Sequence, residues 1–159
     1  MSNLPPVNSV ALSSNAKALI AAEIDQDRSL ETGGILLGVR PSSGVAHVES
    51  ATGPGPAATK ARSAVDFDAR FLQAEQDRLM AASPGLCFLG DWHFHPRGRG
   101  KPSRKDIRAL EALRSDPDYQ LGAAAFILIA TPARNGLRFS GHRLRRPGSV
   151  TEIPVVCAD

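Results

Sequence analysis

Two histidines, a serine and an aspartate are the chemically informative residues of this chain. In HFHPRGRGKPSRKD, His93 and His95 stand two apart, Ser103 follows the loop, and Asp106 lies three residues beyond it. Residues two apart on a strand point the same way, about 6.5–7 Å between Cα atoms, so both imidazoles can converge on one metal ion. Ser103 is placed to cap the next helix. Asp106 then stands at the helix's third position, on the stripe of Leu110 and Leu113, which turns its carboxylate toward the sheet. If the PRGRGKP loop folds back, two neutral imidazoles and a carboxylate make a three-ligand site with a fourth position open, the pattern of a catalytic rather than a structural zinc centre. Ser-x-x-Asp alone is an ordinary cap, and His-x-His alone means little; the joint pattern, after a strand and at the opening of a helix, points to metal chemistry.

The strand that must carry the histidines is LCFLGDWHFH, Leu86 to His95. Alternation predicts Phe88, Trp92 and Phe94 on the packed face and Asp91, His93 and His95 on the other. Upstream, residues 1–12, with Pro5 and Pro6, read as a loose arm. Ser13 or Ser14 caps an amphipathic helix bearing Ala16, Leu19, Ile20 and Ile24. GGILLGV (Gly33 to Val39) and VAHVES (Val45 to Ser50) read as a β-hairpin, followed by the turn-rich loop ATGPGPAATK. Asp66 is the expected cap of a second helix through Phe67, Phe71, Leu72 and Leu79, stopping near Pro84 and Gly85. Downstream of the Ser103 helix, LGAAAFILIA, LRFSGHRL and TEIPVVC read as strands. Two helix–strand alternations followed by a run of strands predict an α/β (α+β) fold, a mixed β-sheet flanked by helices, as a single domain over residues 1–159.

Composition excludes several alternatives. With 159 residues, 42% of them hydrophobic, the chain can bury about 70% of its unfolded surface and needs neither disulfides nor a structural metal to fold. Cys87 and Cys157 lie far apart without a CxxC spacing, and no secretory leader is evident, so the expected compartment is the reducing cytoplasm. The longest apolar run, Leu121 to Ala130, is about half of what a membrane span needs. Residues 1–90 carry 7 basic and 9 acidic side chains and residues 91–159 carry 12 and 7. That mild asymmetry suits a solvated surface or an acidic protein face, and a nucleic-acid partner is not expected. His47 and His142 read as surface or packing residues, and the 97–101 loop as bordering the cleft.

The sequence resembles the JAB/MPN metalloprotease domains that carry the JAMM signature, from about residue 10 to about residue 145. Besides the His-x-His and Ser-x-x-Asp elements, ETGGILLG matches that family's glutamate beside a Gly-rich strand, and ATGPGP, GDWHFHP and DPDY most resemble the stand-alone prokaryotic JAB proteins. Two departures are visible: Phe94 replaces the usual small hydroxyl residue, and Asp91 stands where many relatives have Glu. The resemblance implies cytidine-deaminase-like layering, zinc held by His93, His95 and Asp106, Glu31 as general base, and Ser103 as donor to a tetrahedral oxyanion. It further implies a zinc-dependent peptidase or isopeptidase acting at the C-terminal tail of a ubiquitin-like protein or its conjugates, with E1-like or E2-like enzymes as pathway partners. A catalytically silent MPN scaffold would be expected to lose one of the four residues. A RadC-type DNA-associated protein shares the His-x-His-Pro motif but not ETGGILLG.

Overall fold

A computed structural model describes residues 4–158. Ser13 caps the first helix, α1 (Ser14–Ile24), its hydroxyl accepting from the Ala16 N–H at 3.0 Å. The predicted hairpin is present as β2 (Thr32–Val39) antiparallel to β3 (Val45–Ala51). A two-stranded ribbon, β4 (Thr59–Lys60) with β5 (Val65–Asp66), precedes helix α2 (Ala69–Ala82). Strand β6 (Leu86–Phe94) leads to helix α3 (Arg104–Ser115), and β7 (Phe126–Ala133), β8 (Gly136–Arg146), β9 (Ser149–Ile153) and β10 (Val155–Cys157) follow.

Four local expectations are corrected. The loose arm expected over residues 1–12 lies outside the described residues at 1–3, but Ser9–Leu12 form a strand, β1, paired in parallel with both β3 and β10. Val7, Val10 and Leu12 are buried, so apolar burial overrides the two prolines. The cap of α2 is Asp68, which accepts from the Phe71 N–H at 3.1 Å, while Asp66 belongs to β5. The run from Leu121 begins as a 3-10 turn at Gly122–Ala124 before the strand starts at Phe126. TEIPVVC is two strands, because Pro154 has no N–H to give to a ladder.

Eight strands form one mixed sheet in the order β10-β1-β3-β2-β6-β7-β8-β9. Only Pro154 separates β9 from β10, yet they lie at opposite ends of that order, so the sheet must curl until its edges meet. Its inner face closes on α1: Ala16, Ile20 and Ile24 pack with Leu36, Trp92, Phe94, Phe126 and Leu128. Its outer face carries α2 and α3 through Leu72 and Leu110, which pack with Ile35, Phe88, Ile127 and Ile129.

Phe88 is therefore on the outer face, with Asp91 and not with Trp92, contrary to simple alternation. The cause is a bulge: Leu36 pairs with Gly90 and Leu37 with Phe88, leaving Leu89 without a partner on β2. One extra residue exchanges the faces of everything before it.

Candidate metal centre

β6 delivers His93 on the outer face, and His95 continues the line one step past the strand, its N–H donating to the Ala130 carbonyl at 3.0 Å. Glu31 comes from the residue before β2, where its N–H donates to the Ala61 carbonyl at 2.7 Å in the turn of the β4–β5 ribbon. The glycines of ETGG have a steric reason at this crossing. A Cβ on Gly33 would lie 2.3 Å from the Trp92 carbonyl oxygen, and one on Gly34 would lie 1.9 Å from that of Thr52. Thr52 in turn accepts the Trp92 indole N–H at 2.8 Å, tying β6 down from its inner face.

Asp106 arrives on the first turn of α3 as part of a reciprocal cap. The Ser103 N–H donates to Asp106 Oδ2 at 2.8 Å, and the Asp106 N–H donates to Ser103 Oγ at 3.1 Å. The order is thus as the spacing predicts, and it leaves the Ser103 hydroxyl hydrogen uncommitted.

Together, Glu31, His93, His95 and Asp106 present one donor atom each, all within 4.8 Å of one another. His93 Nδ1 lies 3.2 Å from Asp106 Oδ1 and 3.6 Å from Glu31 Oε1; His95 Nε2 lies 3.3 Å from Asp106 Oδ2 and 3.8 Å from Glu31 Oε1. His93 Nδ1 is buried and has no hydrogen-bond partner. A buried polar atom left unpaired costs about 1–3 kcal/mol, and this one faces two carboxylates and a second imidazole. Such a donor set fits a divalent metal ion. His95 Nδ1, on the ring's far side, lies 3.5 Å from the Arg99 carbonyl, which holds Nε2 toward the cluster.

The electrostatics agree with a cation site. Burial raises the pKa of Asp106, but hydrogen bonding to His95, the charge of His93 and the Ser103 bonds outweigh it and bring the carboxyl down to about 2. Burial lowers that of His95, and Asp106, Glu31 and the Arg99 carbonyl more than reverse it. For Asp91, burial dominates and pushes the carboxyl up to about 6, with His93 pulling down and Asp106 pushing up.

The cluster opens into a cleft of about 480 Å³ lined by Glu31, His95 and Ser103, with Arg62 from the β4–β5 turn and Arg97, Arg99 and Lys101 from the loop after β6. Sequence reasoning located the loop but missed Arg62, which only the ribbon's attachment to Glu31 brings there. It also missed Phe67, read as an ordinary helix residue, whose ring lies 5.3 Å from that of His93. No short-range signal marks either. His142 is buried, as a packing residue should be, and lies 2.6 Å from the Gly100 carbonyl, against the basic loop. Among the described residues, no helix is long and apolar enough to cross a membrane.

The family described as prokaryotic homologs of the JAB domain matches residues 13–140. A probable metalloprotease, y4qB, of Sinorhizobium fredii is 31% identical over 110 residues, covering 68% of this chain and 67% of that protein. A CD-NTase/cGAS isopeptidase of Enterobacter hormaechei is 36% identical over 108 residues, 65% of this chain and 57% of that protein's length. The solution structure of protein DSY2949 from Desulfitobacterium hafniense shares the fold, with a TM-score of 0.70 at 20% identity, covering 94% of this chain and 93% of that one.

Proposed function

The chain belongs to the prokaryotic JAB-domain family, and from that premise we propose that it is a zinc-dependent peptidase or isopeptidase, cytoplasmic, whose substrate is a ubiquitin-like protein or its conjugate. The observation that carries the reading is the convergence of Glu31, His93, His95 and Asp106 around an unpaired buried imidazole nitrogen. The names of the relatives, a probable metalloprotease and an isopeptidase, support the same reaction class.

In this reading His93, His95 and Asp106 hold the metal. Zinc held there would supply a water with its pKa lowered to about 7 and a Lewis acid for the scissile carbonyl. Glu31 stands beside the ligands with its backbone fixed by Ala61, placed to take a proton from the attacking water and return it to the leaving amine. Ser103 Oγ accepts one hydrogen bond from Asp106, so its O–H is free to donate where negative charge develops on the scissile carbonyl. An extended tail would be held by main-chain hydrogen bonds along the β4–β5 ribbon, and small residues would fit nearest the metal. The four cleft cations are suited to an acidic neighbouring surface.

Metal analysis of purified protein should give about one zinc per chain, and the protein should cut ubiquitin-like fusions at the tail junction only without chelator. Cutting that ignores chelation, or cutting confined to unrelated unfolded proteins, overturns the reading. A silent scaffold predicts metal without turnover, and adjacent genes for E1-like or E2-like enzymes would support the conjugation pathway.

A further inference from the structure

The outer face has a second concavity that the four-residue cluster does not use. Between α2 and α3, over β2 and β6, lies a cavity of about 420 Å³. Leu72, Phe88 and Leu113 give it apolar walls, and Asp91 puts a carboxylate into it. Asp91 has no hydrogen-bond partner among the described residues, and no Lys or Arg lines the cavity, which has Asp116 as its second acid. An unpaired carboxylate among apolar walls is costly unless a cation meets it. The matching ligand has an aliphatic stem and a cationic head, the build of a lysine or arginine side chain.

Position decides where that side chain comes from. Asp91 is the next same-face residue to His93 on β6, about 6.5–7 Å along the strand. Phe67 is shared: it lines the cavity and packs its ring against that of His93. A chain lying across the cluster therefore passes within one side chain's reach of Asp91. The opposite side of the cluster is basic, through Arg62, Arg97, Arg99 and Lys101, and repels a cationic segment.

We propose that the α2–α3 cavity is a specificity subsite that takes the side chain of a lysine or arginine near the scissile bond of the protein substrate, with Asp91 as its counter-ion. The assignment to a substrate side chain rests on the peptidase reading; the cavity's preference for a cation does not.

The test separates the two. Isotope-labelled protein is titrated with N-acetyl-arginine amide, N-acetyl-lysine amide and N-acetyl-norleucine amide and followed by NMR. The basic amides should shift the signals of Phe67, Asp91 and Tyr119 saturably, with norleucine about tenfold weaker, the worth of one charge-assisted contact. Asp91→Asn should bring both basic amides down to the norleucine level while keeping the metal. If that variant fails to fold, Ala112→Leu, which narrows the same cavity from α3, should weaken all three. Equal binding of norleucine and arginine, shifts confined to the Arg97–Lys101 loop, or a preference that survives Asp91→Asn overturns the proposal. Tail-junction fusions bearing arginine or methionine beside the scissile bond then give the second readout. Equal kcat/KM for the two overturns the subsite, whereas arginine-amide binding at Asp91 by a protein that cuts no fusion overturns the peptidase reading alone.

Discussion

Strand β6 serves two unlike regions. On the inner face Trp92 and Phe94 are fully buried in an apolar cluster with α1, and the indole N–H is satisfied by Thr52. On the outer face, one residue away in each case, His93 Nδ1 is buried without a hydrogen-bond partner and Asp91 lines the α2–α3 cavity. The contrast teaches that the C-terminal end of β6 is packed from one side and equipped from the other, so substitutions on this strand should separate into those that cost stability and those that cost chemistry.

The largest separation is expected at the proposed ligands. His93→Ala with His95→Ala should abolish zinc binding and lower turnover by at least about a thousandfold, with the metal-free melting temperature little changed. Zinc retained at the wild-type level would break the comparison at its centre. Glu31→Gln should keep the metal and lose about 10²–10⁴ in kcat, and loss of zinc with Glu31 would refute its role as base. Trp92→Ala is the converse case. It should destabilise by about 3–5 kcal/mol in denaturant titration while the folded fraction keeps its zinc.

Ser103→Ala falls between the two classes because, in the proposed mechanism, one hydroxyl both caps α3 and donates to the oxyanion. Loss of the cap costs about 1 kcal/mol, and loss of the oxyanion donor about 10²-fold in kcat, so a purely structural serine would move only the melting curve. The smallest effect concerns pH. Burial dominates at His142 and holds its pKa below the ordinary value, against the opposing pull of the Gly100 carbonyl and Glu152. The fold thus prefers the neutral ring. Its contribution is present above the unfolded pKa of about 6.5 and lost as pH falls through the lower folded value. Melting temperature against pH should therefore fall more steeply between pH 7 and 5 for the wild type than for His142→Asn.

What could be read from the residues divides along the same line. His93, His95, Ser103 and Asp106 were legible because strand alternation and a reciprocal cap are short-range rules, and α1 and the β2–β3 hairpin followed from apolar spacing and turn residues. Phe88 was misplaced because the bulge at Leu89 is set by pairing with β2, which nothing in LCFLGDWHFH announces. β1 was read as an arm because its partners, β3 and β10, are distant in sequence. Arg62 and Phe67 reach the cluster only through the β4–β5 ribbon, a pair of two-residue strands too short to show alternation.

Pro154 carries a consequence in time. The strands it joins, β9 and β10, complete opposite edges of the sheet, and β1 cannot gain its second parallel partner until residues 155–157 exist. Until residues 155–157 are free to pair, β1 has β3 alone beside it, and the inner cluster that holds Val10 and Leu12 stays open along that edge. Chains arrested before Val155 should therefore be open to protease at β1, and release of a few more residues should protect both edges in one step.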